Sequence, residues 1–210
     1  MRKVCELGRS MVEMLGVLAI IGVLSVGGIA GYSKAMMKYK LNKHSLQLSQ
    51  LLNTLYRYKN SWGENPPPMN LMPYFKAMGE IPEDMIKDNT NNIYDAFGNS
   101  IYLQTNGCTN DKCTNVILRY TIGKNNDIEL CQNIFTVAKS FHQNLYIAGA
   151  YKTTQDNSIE QYDNNRFYGD KYCNGKKCLR NITLDDIYNK CQYLADRDTG
   201  SYYFLFNLND

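Results

Sequence analysis

Residues 14–33 run for twenty positions without a charged side chain. At about 1.5 Å per residue this stretch makes a helix of roughly 30 Å, the thickness of a bilayer's hydrocarbon core, so the pattern predicts a membrane helix. A cleaved secretory signal has a shorter apolar stretch with a small-residue site at its far end. The only candidate processing site here, Gly8, lies on the near side, so the helix is expected to stay with the mature protein. Residues 34–59 contain neither Pro nor Gly, and Leu41, Leu48, Leu52 and Leu55 recur at spacings of seven, four and three. That periodicity predicts an amphipathic continuation, giving one helix from about residue 9 to 60 whose Leu stripe packs on a sheet. Gly63 and the run Pro66, Pro67, Pro68 end it, because Pro neither continues a helix nor lets its predecessor do so.

Beyond the prolines the pattern changes. A short helix is expected over 72–78 and a turn over 95–99, followed by strands at 100–105 and 115–122 that read as a hairpin around the turn-rich stretch 106–114. Asp127 opens a helix to about residue 143 that carries Ile128, Cys131, Ile134, Phe135, Ala138 and Phe141 on one side. A strand is expected at 145–152, then a polar stretch over 153–170. Thr183 caps a helix over 184–195 with Asp185 and Asp186 in its first turn. Residues 201–208, alternating and aromatic, read as a central strand. The fold class is α+β: a long N-terminal helical stalk packed on an antiparallel head with inserted helices and disulfides.

Composition narrows the function. With 210 residues and a 44% apolar fraction, the chain holds one globular domain beyond its first sixty residues. A net charge of +3 from 23 basic and 20 acidic residues argues against a protein built around nucleic-acid phosphates. Seventeen tyrosines with abundant Asn suit the half-buried strands and exposed loops of a surface protein. The two histidines, His44 and His142, have no nucleophile, acid or metal partner near them in sequence, and phosphate-loop and zinc-protease motifs are absent. Asp185 and Asp186 point about 100° apart on a helix, which does not make a catalytic carboxylate pair. The cluster Asp88, Asn89, Asn91, Asn92 and Asp95 lacks a calcium ligand loop and reads as a solvated turn. No catalytic group, metal or cofactor is expected, and the chain is not read as an enzyme.

Seven cysteines divide unevenly: Cys5 precedes the apolar run, and Cys108, Cys113, Cys131, Cys173, Cys178 and Cys191 follow it. An even set on one side of a membrane helix suits a disulfide framework in an oxidising compartment, which places the head outside the cytoplasm. Six cysteines allow fifteen pairings, so spacing leaves the connectivity open. A zinc site of four thiolates from Cys108, Cys113, Cys173 and Cys178 is an alternative at the wide end of ligand spacing. Free buried thiols would need a reducing compartment.

The residues before the helix are specific. Met1, Arg2, Lys3, Val4, Cys5, Glu6 and Leu7 form a short charged leader ending in Gly8, followed by Arg9, Ser10, Met11, Val12 and Glu13 at the edge of the apolar run. This segment resembles the class III signal of type IV prepilins, and the layout behind it is similar to type IVb pilins. The resemblance implies that a prepilin peptidase and methyltransferase cuts after Gly8 and methylates Arg9. It also implies that Glu13 pairs with the amino terminus of a neighbouring subunit and sets the register of packed helices. A carboxylate at the edge of a membrane helix needs such a partner, and a single buried polar group can fix helix register. The implied organisation is leader 1–8, membrane or filament-core helix 9–33, amphipathic continuation 34–60 and head 61–210. Implied partners are identical subunits and an inner-membrane assembly platform, with the precursor in the cytoplasmic membrane and the product in an extracellular pilus or a periplasmic pseudopilus.

Arg9 stands where the family has a hydrophobic residue, and Ala30 where it has a Pro; Gly27, Gly28 and Gly31 supply an alternative local weakness, each worth up to about 1 kcal/mol relative to Ala. Arg2, Lys3 and Arg9 before the helix against Lys34, Lys38, Lys40 and Lys43 after it run opposite to the positive-inside rule. The expected disulfides are Cys131 to Cys191, resembling the pair that bounds the C-terminal region of type IV pilins, with Cys108 to Cys113 and Cys173 to Cys178 as local staples. The leader is shared by major pilins, minor tip pilins and type II secretion pseudopilins. A tip subunit with an adhesive or DNA-binding role would use the loops 106–114 and 170–180, the second carrying Lys171, Lys176, Lys177 and Arg180 as a candidate binding loop. A plain anchored ectodomain is the third reading.

Overall fold

The computed structural model describes residues 7–87, 92–122, 128–153, 159–160, 166–195 and 200–208. The leader residues 1–6, the helix-opening Asp127 and the proposed cluster members Asp88, Asn89 and Asn91 lie outside them. Helix α1 runs over Leu7–Tyr58 without interruption. Two compact units are distinguished, Met1–Lys40 and Leu41–Asp210.

In the second unit α1 ends through a 3-10 turn, Lys59–Trp62, and Gly63 then takes a left-handed φ of 76° that leads into the prolines. The short helix α2 covers Met72–Ala77. Strands β1 (Ile93–Tyr94), β2 (Ser100–Thr109) and β3 (Lys112–Ile122) form an antiparallel meander. Helix α3 covers Ile128–Ser140, followed by β4 (Ile147–Thr153), β5 (Ile159–Glu160) and β6 (Arg166–Tyr168). Helix α4 (Leu184–Ala195) precedes the last strand, β7 (Gly200–Asn207).

Among the described residues the strands make one antiparallel sheet in the order β1-β2-β3-β7-β4-β5, with β6 also pairing β4. The aromatic alternation of β7 suits its central place. Tyr202, Phe204 and Phe206 point into the main core with Val116, Leu118 and Tyr120 of β3, while Tyr203 joins Ile117, Ile147 and Tyr151 on the opposite face. Leu48, Leu51, Leu52 and Leu55 of α1 are fully buried in that main core with Phe75 of α2, Ile134 and Phe135 of α3, and Ile187 and Leu194 of α4. The helices of this unit thus contribute to one core against one face of the sheet, an α+β arrangement.

Two local expectations are corrected. The stretch 106–114, read as a turn-rich loop, is mostly ladder: Asn106 pairs Asn115 and Cys108 pairs Cys113 around a two-residue turn at Asn110 and Asp111. Both turn residues take positive φ, 50° and 58°, which Asn and Asp tolerate better than other side chains and which suits a tight hairpin. The polar stretch 153–170 contributes the short strands β5 and β6, whose two and three residues are too few to show a period of two. Thr183 caps α4 as its sequence indicates: its hydroxyl accepts from the Asp186 amide at 3.1 Å, and Asp186 accepts from the Thr183 amide at 2.9 Å.

Candidate functional site

In the N-terminal unit the apolar run is a helix whose described large side chains are exposed. Every large apolar side chain from residue 11 to residue 29 is more than half exposed, from Ile21 at 52% to Val23 at 74%. A large aliphatic side chain gains about 1.5–3 kcal/mol on burial, so the dozen left in the open represent on the order of 20 kcal/mol of unused transfer free energy. A helix apolar on all sides is a segment for a membrane or for packing among other helices. The segment is long and apolar enough to cross a bilayer. Glu13 is exposed within it and is the only acidic residue in the 52 residues of α1, against Arg9, Lys34, Lys38, Lys40, Lys43 and Arg57. Gly8 and Arg9 belong to the first turn of this helix, and their side chains lie outside the described part.

Three disulfides join Cys108 to Cys113, Cys131 to Cys191 and Cys173 to Cys178. The first crosses the β2–β3 hairpin directly. The second links the buried faces of α3 and α4 across 60 residues, with both sulphurs in the main core and Cα atoms 5.6 Å apart. The third closes the loop before α4. Helix α4 explains why that loop lies where it does: Ile187, Cys191 and Leu194 form its buried stripe, whereas Asp186, Asn189, Lys190 and Tyr193 share another face. Between that face and the loop is a cleft of about 560 Å³.

The four basic residues singled out in this loop separate in space. Lys176 and Lys177 line the cleft; Lys171 and Arg180 do not. Lys176 holds its ammonium over the Tyr168 ring at 4.4 Å, and Arg180 reaches toward Asp170 at 3.9 Å. The cleft gains a cation that loop reasoning missed, Lys190 of α4. Burial first, then the charge of Lys177, lowers its ammonium to about 8, against the opposing pull of Asp186. The signal available in the sequence was the spacing of Asp186, Asn189, Lys190 and Tyr193, which puts them on one helical face.

The histidines have partners remote in sequence. His44 is fully buried on α1, where its Nδ1 contacts Asn133 Oδ1 of α3 at 2.7 Å and its Nε2 lies 3.7 Å from Asp95 Oδ2. Burial holds its pKa below the usual imidazole range, against the Asn133 hydrogen bond and the Asp95 charge. Asp95 accepts from the amides of Phe97 and Asn99 at 2.9 and 2.8 Å, so it organises its own turn. Gln47, one turn further along α1, donates to Asp84 and accepts from the Ala96 amide at 3.0 Å. These buried polar groups seat α1 in one register on the head. His142 bonds Asp170 Oδ2 at 2.8 Å and ties the end of α3 to the 170–178 loop. Asp186 is engaged by Thr183 and Asp185 by Asn189, so this pair serves the helix.

No protein-family model matches the chain, and no curated protein matches it in sequence. Among solved structures it is similar to the type IV b pilin from Salmonella typhi. Identity there is 12% and the TM-score 0.45, with 81% of this chain and 99% of that one covered. It is also similar to TcpA, a type IV pilin from Vibrio cholerae El Tor biotype, at 13% identity and a TM-score of 0.47, covering 80% of this chain and 98% of that one.

Proposed function

We propose that this chain is the precursor of a pilin-like filament subunit of type IVb character. The observation that carries the reading is the uncovered apolar helix with a single acid, Glu13, five residues behind the leader glycine Gly8. A peptidase removes residues 1–8, the new amino terminus is methylated on Arg9, and residues 9–33 pass from the inner membrane into the core of a helical assembly. In that transfer the apolar surface stays out of water throughout, and the amino group of one subunit neutralises Glu13 of the next. The amphipathic 34–60 segment then joins the filament core to the head, 61–210, which lies outside the cytoplasm where its disulfides persist. The function is assembly, with no reaction catalysed. A pseudopilin would share every step to this point and would differ in remaining in a short periplasmic structure.

Mass spectrometry of the protein recovered from sheared filaments tests the processing step. The expected species begins at methylated Arg9; a surface protein that keeps residues 1–8 refutes it. Glu13→Ala tests the pairing separately: processing proceeds, while filament yield drops below a tenth of the parent. Filaments at parental yield from that variant would remove the register role.

A further inference from the structure

The cleft between the Cys173–Cys178 loop and α4 combines three features that the filament reading leaves unused. It is lined by lysines from two elements, Lys177 from the loop and Lys190 from the helix, close enough for their charges to interact, with Lys176 at the wall while its ammonium lies over the Tyr168 ring. Among the described residues the one acid in its lining, Asp186, accepts from the Thr183 hydroxyl at 2.6 Å and from the Thr183 amide at 2.9 Å, so it is committed to the helix cap. Amides of Asn181 and Asn189 and the rings of Phe167 and Tyr193 complete the walls, and Tyr193 keeps 37% of its surface exposed. The volume, about 560 Å³, lies within the roughly 300–1,000 Å³ of small-molecule sites.

We propose that this cleft binds an acidic saccharide residue, its carboxylate or phosphate held between Lys177 and Lys190 and its ring lying against Tyr193. The charge arrangement favours a compact anion over a polymer backbone, because Lys171 and Arg180 lie off the cleft and do not extend it into a strip. The amides supply donors and acceptors for hydroxyl groups, and a flat aromatic surface suits the apolar face of a sugar ring. The disulfide fixes the loop that carries Lys176 and Lys177, so little ordering remains to be done on binding.

The ammonium groups of Lys177 and Lys190 repel each other across a partly desolvated space, which is part of why Lys190 titrates near 8. An anion between them removes that repulsion and raises the Lys190 pKa, so binding takes up protons near that pH. Among the described groups, Lys177 lowers and Asp186 raises the Lys190 pKa, and Lys176, Tyr193 and the uncharged Phe167 of β6 line the same cleft. Affinity therefore falls as pH rises through about 8 and not, as for an ordinary lysine pair, above 10.

The test uses the full-length chain in a polyoxyethylene detergent, whose headgroup carries no sugar. Saturation-transfer NMR and calorimetry are run with N-acetylneuraminic acid, glucuronic acid, glucose 6-phosphate, glucose and inorganic phosphate. At least one acidic sugar is expected to bind at least tenfold more tightly than both glucose and inorganic phosphate, and the carboxylate and phosphate arms identify the headgroup. The Lys177→Gln/Lys190→Gln variant should lose at least tenfold in affinity, and Lys171→Gln less than twofold, both keeping the parent's urea midpoint. Calorimetry at pH 8 in buffers of different ionisation heat should show proton uptake. Glucose or phosphate alone binding as tightly as the acidic sugars would overturn the proposal. So would full affinity in the Lys177→Gln/Lys190→Gln variant, or the absence of binding by any acidic sugar. None of these results depends on filament formation, so a failure here leaves the proposed assembly function to its own tests.

Discussion

The disulfides differ in what they do for stability, and the difference is calculable. Cys131 and Cys191 close 60 residues, whereas Cys108–Cys113 and Cys173–Cys178 each close five. In the chain-entropy treatment the long closure stabilises by about 4 kcal/mol and each short one by about 2 kcal/mol. The long pair is also fully buried between α3 and α4, so replacing both residues by Ala removes core contacts and adds to the loss. Urea unfolding of the full-length protein in detergent would be followed by the fluorescence of Trp62, the only tryptophan, which packs edge-on to Tyr74 and Phe75 at 5.4 and 5.7 Å. With a slope of about 2 kcal/mol per molar urea, Cys131→Ala/Cys191→Ala should lower the midpoint by about 2 M and Cys108→Ala/Cys113→Ala by about 1 M. A shift below about 0.5 M for the long pair, or equal shifts for the two variants, would refute the assignment of head stability to that closure.

Two further predictions probe the head. His44 is buried neutral with its pKa below the unfolded value of 6.5, so the unfolded chain binds the extra proton. Stability is therefore full above pH 6.5 and falls as the pH drops below it; the urea midpoint should be lower at about pH 5 than at about pH 7.5, and His44→Gln should flatten part of that slope. An unchanged slope in the variant would show that other groups carry the acid sensitivity. Gly169 passes so close to the Leu145 and His142 carbonyl oxygens that a Cβ would fall on backbone, so Gly169→Ala should cost about 3 kcal/mol or more. Gly175, at φ 69° in open space, should cost only about 1 kcal/mol on the same change, and equal midpoints for the two variants would contradict this contrast.

Several parts of this protein are fixed by short stretches of sequence. Residues 14–33 are helical and their twenty uncharged positions suit an apolar medium, where a helix pairs the backbone with itself, while Pro66 to Pro68 keep the chain from resuming the helix that ended at Tyr58. Thr183 starts α4 through a bond three residues away, and the alternation in β3 and β7 marks them as pleated strands facing two sides. Each is a matter of spacing within one element. The position of β7 between β3 and β4, the contact of Cys131 with Cys191, the burial of His44 against Asp95 and Asn133, and the meeting of Lys177 with Lys190 were decided only in three dimensions. These groups lie 13 to 89 residues apart in the chain, and no periodicity encodes which distant partner a side chain will face. Burial of the helices' apolar stripes in one core against one sheet face sets which of these distant groups meet.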